Sequence, residues 1–515
     1  MLLSNQEKLL TTETCRATLA AQQAAGKRVV LCHGVFDLLH PGHIVHLQEA
    51  RELGDILVVS VTSAPFVNRG PGRPIFSDEL RLHTLAALSC VSYVLIASAP
   101  TALEIIDVVQ PDIYCKGREY ADHANDVTRN IGIEEERVAS YGGEIRHAGS
   151  VIFSSTQLIN NHLGGMSPAV KRYAENFLTQ HSASQAREGL EKVQDLRVLV
   201  IGDVIIDEFM WCQVQGLTSK GRVISTRLLN QEQHLGGSIA IARHIANFTP
   251  NVTLAAIMGT EPSMSQLIAS KIEPHLALEL IKDEGYPTIV KRRYIERQGV
   301  RDNITKLLAV SKMDEGALSS NAREQFLNNL ERALPNYDLV VVADYGHGLI
   351  DVETMNLIQS KAPFLAVNCQ TNSANFGYNL ITKYHRADTF CLDEQELRLA
   401  YSSRSGNREM LAKQLFAKLN SKQGWLTLGS SGSLGLDRNG DEDAAPALTL
   451  TVTDTIGAGD AFFALASLCA ARELPIQIGS LLGNLAGAMA ANVLGNAEPV
   501  TKPRLLKYLG TILNV

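Results

Sequence analysis

The chain has 515 residues, of which 45% are hydrophobic and 20% are charged, and this length exceeds what one hydrophobic core usually supports, so we expect at least two domains. Its formal net charge of -7 excludes a broad cationic surface for nucleic acid. No run of about 18 apolar residues occurs, which excludes a sequence-evident membrane span.

The first residues, MLLSNQEKLLTTETC, lack the basic start and the continuous apolar stretch of a secretory signal, so a cytoplasmic location is expected. The eight cysteines are scattered along the chain, with no CxxC pair and no Cys/His spacing typical of a zinc site. We therefore expect reduced, mostly buried thiols.

The chain begins with a helical segment at residues 1–27, after which short apolar runs alternate with helical patterns. RVVLCHGV at 28–35 fits a buried strand, HIVHLQEARELG fits a helix, and DILVVSVTS, SYVLIAS and PDIYCKG fit further strands. This rhythm predicts an α/β domain with a parallel sheet at residues 28–160.

The turn after the first predicted strand carries a strong chemical signal, GVFDLLHPGH at residues 34–43. A helix that starts there offers backbone N–H groups and the positive end of its dipole to an anion. Two imidazoles can donate to a phosphate whose charge grows during displacement, and a glycine lets the backbone approach closely. Asp37 either orients the loop or holds nearby solvent. We place the phosphate site at Asp37, His40, Gly42 and His43.

These residues resemble the signature of the cytidylyltransferase-like nucleotidyltransferases, which is HxGH after a GxFDxxH strand end. A second signature of that family, ISSTxL, is matched by FSSTQL at 153–158, and GPGRPIFSDELR and KGREY resemble segments between the two. The resemblance implies a Rossmann-like fold and attack by a substrate phosphate oxygen on the α-phosphorus of ATP or CTP. Mg²⁺ is expected on the triphosphate. The resemblance adds Lys116 as a candidate catalytic residue. It adds candidate nucleotide ligands, namely Gly34, Phe36, Arg81, Ser154, Ser155 and Thr156, and candidate substrate ligands, namely Arg69 and Arg73.

Between residues 161 and 195 the sequence becomes polar and helical, and we expect a helical linker there. New buried-strand patterns open at LRVLVIGD and recur in DLVVVADYG, FLAVN and GWLTLGS. The second domain, at residues 196–515, is therefore also predicted to be α/β.

Near the C-terminus, DTIGAGDAFFA at 454–464 places a carboxylate at a Gly-rich turn before an apolar helix. In a kinase of this design, Asp460 takes the proton from the attacking hydroxyl. The backbone amides of Gly457, Ala458 and Gly459 neutralise the moving phosphoryl group. A lone Gly-Ala-Gly turn also serves tight helix packing, so the motif gains weight only with partners elsewhere in the chain.

Such partners are present, and together they resemble the ribokinase or PfkB carbohydrate kinases across roughly residues 196–510. GDVIIDEF offers Asp203 and Asp207 as acceptors for substrate hydroxyls, and LGGSIAIA offers the paired Gly236 and Gly237. TLGSSG resembles the nucleotide-binding loop, and CLDEQE resembles an NxxE segment that organises Mg²⁺ through water. The resemblance implies an ATP-dependent kinase of ribokinase-like fold with a small β lid. It adds the candidates Thr427, Gly429, Gly432, Asp393 and Glu396.

The acceptor side departs from that family. Residues 238–240 are SIA where such sugar kinases often have Ala-Ala-Asn, and Asp393 replaces the asparagine of NxxE. His347 stands where related heptose kinases have lysine, and NCQ at 368–370 replaces part of their DPKG segment. TRLLNQEQHLGG and YPTIVKRRYIERQG are predicted lid strands, through which a homodimer is mildly expected.

Both modules together resemble the bifunctional heptose kinase/adenylyltransferases with the domain order reversed, because here the HxGH domain comes first. The leading hypothesis is an enzyme that phosphorylates a sugar or polyol with ATP and transfers a nucleotidyl group to a sugar phosphate, as in nucleotide-sugar biosynthesis for a surface glycan. The transferase could instead act on a non-sugar phosphate or phosphonate, and the kinase half could be a non-catalytic ligand sensor. Neither nucleic acid nor a membrane is expected as a partner.

Overall fold

The computed structural model describes residues 6–67, 73–118, 131–149, 166–298, 303–313, 318–373, 375–449 and 452–514. The chain divides into two compact units. The first comprises Met1–Ser167 with Leu506–Val515, and the second comprises Pro168–Leu505. Among the described helices, none combines the length and the apolar character needed to cross a membrane.

A five-stranded parallel sheet forms the centre of the first unit, in the order β3-β2-β1-β4-β5. Its strands are Val29–Gly34 (β1), Ile56–Thr62 (β2), Tyr93–Ala97 (β3), Ile113–Gly117 (β4) and Glu144–Ala148 (β5). Its described helices are Thr12–Ala24 (α1), Pro41–Glu52 (α2), Asp78–Ala86 (α3), Leu103–Val109 (α4) and Ile131–Ser140 (α5). Alternate residues of β1 enter two separate apolar clusters, one containing Val30 and Cys32 and the other Val29 and Leu31, so both faces of the sheet are covered. The predicted Rossmann-like α/β architecture is confirmed.

A nine-stranded sheet forms the centre of the second unit, in the order β10-β9-β6-β13-β14-β15-β16-β17-β18. Its pairs are parallel from β10 to β16 and antiparallel beyond. Its strands are Val198–Gly202 (β6), Val252–Met258 (β9), Ala277–Lys282 (β10), Leu339–Asp344 (β13), Leu365–Cys369 (β14), Thr389–Asp393 (β15), Gln423–Thr427 (β16), Ser433–Asp437 (β17) and Glu442–Ala445 (β18). Its helices after residue 200 are Gly237–Ala246 (α8), Pro262–Lys271 (α9), Ser320–Ala333 (α10), Val352–Lys361 (α11), Glu394–Ala400 (α12), Arg408–Leu419 (α13), Ala458–Ala471 (α14) and Ile476–Ala490 (α15). The last helix, Lys502–Leu513 (α16), begins in this unit and continues into residues that belong to the first unit. The predicted ribokinase-like α/β fold is confirmed.

A separate four-stranded sheet completes the second unit, in the order β12-β11-β7-β8. Its strands are Val204–Leu217 (β7), Ile224–Gly236 (β8), Ile289–Gln298 (β11) and Asn303–Lys312 (β12). Strands β8 and β11 coincide with the two segments predicted to form a lid. β7 follows β6 after a single residue, so the lid starts directly at the end of a central strand of the main sheet.

The segment predicted as a helical linker forms two helices, Pro168–Gln180 (α6) and Ala183–Lys192 (α7), and both belong to the second unit. The Tyr173 hydroxyl donates to Oδ2 of Asp443 at 3.0 Å, and Nζ of Lys502 lies 2.8 Å from Oε1 of Glu191. These contacts make the segment a structured part of the kinase-like unit.

Candidate active sites

The HxGH turn links the carboxyl end of β1 to the start of α2. His40 is the N-cap residue of α2, and its Nδ1 accepts a hydrogen bond from the backbone N–H of His43 at 3.4 Å. The two rings stack with centroids 3.9 Å apart. Burial lowers the pKa of His40, which favours the neutral ring. Because Nδ1 accepts, the proton of the neutral ring lies on Nε2. The turn thus presents an imidazole N–H donor beside a helix N-terminus.

Phe36 shapes the same turn. Its φ of 47° lies in the left-handed region, which non-glycine residues adopt mainly where the surroundings hold them there. Its ring meets the ring of His43 edge-on, with centroids 5.3 Å apart. The strained backbone therefore positions the Phe36 ring against the ring of His43.

Asp37 organises the neighbouring loop. Its Oδ1 accepts hydrogen bonds from the backbone N–H groups of Ile75 and Phe76 at 2.7 and 3.1 Å, and its Oδ2 pairs with Nη1 of Arg73 at 3.1 Å. Both side chains of the ion pair are about nine-tenths buried. The orienting role considered for Asp37 therefore agrees with this geometry, and Arg73 lies next to the turn.

Arg81 and Lys116 occupy different environments. Arg81 is 1% exposed, and its guanidinium donates to the carbonyls of Val35 and Thr62 and to Asp78. Through these bonds Arg81 joins the residue after β1 to the last residue of β2, which is a structural role.

Nζ of Lys116, at the end of β4, pairs with Glu134 at 2.5 Å. Gly34 ends β1, and Gly42 is buried in the first turn of α2. Arg69, Ser154, Ser155 and Thr156 lie outside the described residues.

His33 is a buried polar side chain that the sequence analysis did not single out. Its ring nitrogens lie 2.8 Å from Oγ of Ser60 and 3.2 Å from Oγ1 of Thr62. Burial, with the nearby charge of Lys116, lowers its pKa to about 4, so the ring is neutral at pH 7. His33 links the carboxyl ends of β1 and β2 just before the phosphate turn. It stands inside an apolar strand pattern, and the sequence contains no motif that would have identified it.

The second unit contains a cavity of about 320 Å³ at the carboxyl ends of its central strands, which is where open α/β sheets bind ligands. It brings together candidates from five separated motifs, namely Asp207, Gly237, Asp393, Glu396, Thr427, Gly457, Gly459 and Asp460. A larger and more open concavity of about 880 Å³ lies between β10 and α10 and contains none of these candidates. We place the chemistry in the smaller cavity because the convergent carboxylates are there.

Asp460 lies in the first turn of α14 and is 8% exposed. Its Oδ1 accepts hydrogen bonds from the Tyr345 hydroxyl at 3.1 Å and from Nε2 of Gln370 at 2.8 Å. Burial raises its pKa to about 6, although these two donors oppose the rise. A carboxylate with this pKa is ionised at pH 7 and is suited to accept a proton.

The Gly-rich turn before α14 has the geometry of an anion site. Gly457 caps the helix with a φ of 82°, and a Cβ there would overlap the side chain of Asn496. The turn therefore requires glycine. Gly457 and Gly459 line the cavity, whereas the N–H of Ala458 donates to the carbonyl of Thr455 at 3.3 Å. Gly429 and Gly432, after β16, also have positive φ, of 56° and 97°.

The lid contributes two cations that the sequence analysis missed. Lys291 and Arg293 line the cavity, whereas Arg292 between them pairs with Glu208. Side chains alternate between the two faces of a strand, so the sequence KRR in the predicted lid strand could have indicated that its first and third residues share one face. Nη1 of Arg293 lies 2.5 Å from Oδ1 of Asp207.

Gly236 leaves the space that the Asp207 carboxylate occupies. A Cβ at Gly236 would overlap Oδ2 of Asp207, and Gly237 has a φ of 58°. Asp203 is 2% exposed and is not part of the cavity lining, but it borders the lining: it accepts backbone hydrogen bonds from Tyr345 and His347 and lies within electrostatic range of Lys291. Burial and the carboxylate of Asp344 raise the pKa of Asp203 to about 7.

Glu396 and Asp393 form a capping box at the start of α12. Glu396 accepts from the backbone N–H of Asp393 at 2.9 Å and from that of Thr371 at 3.0 Å, while Asp393 accepts from the N–H of Glu396 at 2.7 Å. Burial, followed by the charge of Asp393, raises the pKa of Glu396 to about 8. Carboxylate oxygens are ligands that Mg²⁺ prefers, and a cation nearby would relieve this repulsion. The pair therefore fits an Mg²⁺ held through water.

Comparison with known families accounts for both units. The pfkB family of carbohydrate kinases matches residues 196–503, and the cytidylyltransferase-like family matches residues 31–188. The Bifunctional protein HldE of Syntrophotalea carbinolica is 41% identical over 145 residues, which cover 28% of this chain and 28% of that protein. The protein of the same name from Koribacter versatilis is 26% identical over 318 residues, which cover 61% of this chain and 63% of that protein.

The chain therefore spans well under two thirds of the length of the first of these relatives. Among solved structures, the ribokinase of Thermotoga maritima matches with a TM-score of 0.47 and 16% identity. The match covers 61% of this chain and 99% of the ribokinase chain.

Proposed function

Because this chain belongs to the pfkB family of carbohydrate kinases and also carries a cytidylyltransferase-like domain, we propose that it is a bifunctional enzyme with two transfer reactions. The second unit phosphorylates a hydroxyl of a sugar or polyol with ATP. The first unit transfers a nucleotidyl group from ATP or CTP to a sugar phosphate and releases pyrophosphate. The observation that carries the proposal is the convergence of Asp460, Asp207, Glu396 and the Gly457 turn on one cavity.

In the kinase reaction, the acceptor hydroxyl attacks the γ-phosphorus of ATP, and the bond to the β-phosphate oxygen breaks to release ADP. Asp460 receives the hydroxyl proton, since its pKa of about 6 leaves it ionised at neutral pH. The amides at the start of α14 and the Lys291 ammonium neutralise the charge of the moving phosphoryl group. Asp207, held by Arg293, orients the acceptor. Bound Mg²⁺ supplies charge neutralisation on the nucleotide, with Glu396 and Asp393 as the residues that hold it.

In the transferase reaction, a phosphate oxygen of the acceptor attacks the α-phosphorus of the nucleoside triphosphate, and pyrophosphate leaves. The imidazoles of His40 and His43, whose rings stack on each other, and the start of α2 bind the phosphate oxygens. Asp37 and Arg73 fix the adjoining loop. The protein contributes positioning and charge neutralisation without a covalent intermediate.

The two activities together suggest a biosynthetic logic. A kinase attaches phosphate to a hydroxyl, and a transferase converts a phosphate monoester into a nucleotide-activated donor. The matched relatives are named bifunctional, which supports the pairing of both reactions in one chain. We assign the product to nucleotide-sugar biosynthesis, as a precursor of a surface glycan.

Two alternatives make different predictions. If the transferase serves a non-sugar phosphate or phosphonate, pyrophosphate release will follow those acceptors. If the kinase-like unit only senses a ligand, no acceptor will support ADP formation. Asp460 with its two hydrogen-bond donors favours a catalytic unit, because a sensor has no need of a buried base.

The test is a pair of assays on the full chain, with sugars, polyols, sugar phosphates, glycerol phosphate and phosphonates as acceptors. ADP formation reports the kinase, and pyrophosphate release with ATP or CTP reports the transferase. Asp460→Asn should abolish the first signal alone, and His43→Ala the second alone. Asp441→Asn, at an exposed position of the second unit, serves as the control. Absence of both signals from the wild-type chain across the panel would overturn the proposal.

A further inference from the structure

Two thiols and one imidazole meet in the core of the first unit. Cys32 in β1 and Cys115 in β4 are register partners on adjacent parallel strands, and His46 reaches them from α2. One ligand atom from each residue lies within 4.8 Å of the other two. Cys32 is fully buried and Cys115 is 2% exposed, whereas His46 is half-buried. The parallel pairing of the two strands creates this group, which the spacing along the chain does not reveal.

The donor set is that of a soft divalent cation. Zn²⁺ binds cysteine sulfur at about 2.3 Å, which separates two sulfurs of a tetrahedral site by about 3.8 Å. Ligand atoms that all lie within 4.8 Å of one another are compatible with this separation. Two sulfurs and one nitrogen exclude Mg²⁺ and Ca²⁺, which require oxygen ligands.

The orientation of His46 supports the same conclusion. Its Nδ1 lies 3.3 Å from the backbone carbonyl of Ala148 at the end of β5. Metal-bound histidines almost always donate their other ring N–H to a carbonyl or a carboxylate, which fixes the tautomer and the ring plane. Donation from Nδ1 leaves the lone pair on Nε2 for a ligand.

We propose that Cys32, His46 and Cys115 form a binding site for a soft divalent cation of the Zn²⁺ class. Three protein ligands leave the fourth tetrahedral position to water or another small ligand. The site is tied to the transferase machinery, since His46 follows His43 by one helical turn and Cys115 directly precedes Lys116. Occupancy would fix α2 against β1 and β4, and so couple metal binding to the geometry of the phosphate turn.

The test is spectroscopic and needs no substrate. The full chain, stripped of metal under reducing conditions, is titrated with Co²⁺ and then with Zn²⁺. We expect one Co²⁺ per chain to produce a thiolate-to-cobalt charge-transfer absorption, which Zn²⁺ abolishes by displacement. Cys32→Ala and Cys115→Ala should each lose this absorption. Cys15→Ala should keep it, because Cys15 is an equally buried thiol in the other apolar cluster of the unit.

The variant His46→Ala provides a second test in case the cysteine variants do not fold. Alanine suits the interior of α2, and this variant keeps both thiols. We expect its affinity for Zn²⁺ to fall by roughly tenfold or more. Co²⁺ bound without charge-transfer absorption in the wild type would overturn the proposal. Unchanged Zn²⁺ affinity in His46→Ala would do the same, and so would absorption that survives Cys32→Ala or Cys115→Ala in folded protein. Both transfer reactions could fail while this result stood, because metal binding is read directly.

Discussion

Replacing Asp460 by asparagine should abolish the kinase reaction and, at neutral pH, stabilise the second unit. Burial raises the pKa of this carboxyl to about 6, whereas its ordinary value is 3.8. The folded chain therefore holds the proton more tightly than the unfolded chain, and ionisation of the folded form costs stability. Asparagine keeps an oxygen that can accept from Tyr345 and Gln370 but carries no charge.

The size of the gain follows from the shift. A rise of about two pKa units corresponds to roughly 3 kcal/mol, which the wild type loses in full above about pH 7. At pH 4.5 the folded carboxyl keeps most of its proton, so the cost falls to about 1 kcal/mol. At an unfolding entropy of roughly 2.1 cal/mol/K per residue, the second unit should gain about 4 °C in Tm at pH 8 and between about 1 and 2 °C at pH 4.5.

Scanning calorimetry at the two pH values measures this gain, with Asp441→Asn as a control that removes an exposed carboxyl of the same unit. The control should melt with the wild type at both pH values. In parallel, ADP formation by Asp460→Asn should fall by roughly 10² to 10⁴. A Tm gain that is equal at pH 8 and pH 4.5, or no gain at pH 8, would refute the argument that a buried charge costs stability here.

Three further predictions concern the two sites. The kcat of the kinase should rise with pH through about 6, because Asp460 must be ionised to accept the proton. Gln370→Leu removes a hydrogen bond worth about 1.5–3 kcal/mol to the charged form, so it should move this rise upward by about one to two pH units, and an unmoved midpoint would contradict the assignment. Gly236→Ala should raise KM for the acceptor with little change in KM for ATP, since the new Cβ overlaps Asp207; equal rises in both constants would count against it. His43→Asn should lower pyrophosphate release by roughly 10² or more and leave ADP formation intact, and loss of both signals would point to misfolding instead.

Much of the fold was predictable from local patterns. The apolar runs at 28–35 and 196–203 became β1 and β6, and the lid segments became β8 and β11. Continuous β-branched runs between helical stretches leave few options besides a buried parallel sheet. The phosphate turn and the Gly-rich turn were predictable for a similar reason, because glycine and cap residues act over a few neighbours.

The supporting contacts were not predictable, because they depend on which strands become neighbours. Tyr345 and Gln370 reach Asp460 from the ends of β13 and β14, and they are separated from it in sequence by 115 and 90 residues, respectively. Arg81 sits in a motif that suggested a phosphate ligand, yet its guanidinium is used by backbone carbonyls. The Cys32 and Cys115 pair likewise exists only through the register of β1 and β4.

The alternation in the lid strand has an evolutionary consequence. In β11, Lys291 and Arg293 face the cavity and Arg292 faces away, and the ladder between β11 and β12 already shifts register beside Tyr294. A one-residue insertion or deletion upstream in this strand would exchange the two faces and replace two cavity cations by one. Descendants of this gene could therefore change their preference for anionic or neutral acceptors through a single codon gained or lost, with Asp460 and the Gly-rich turn untouched.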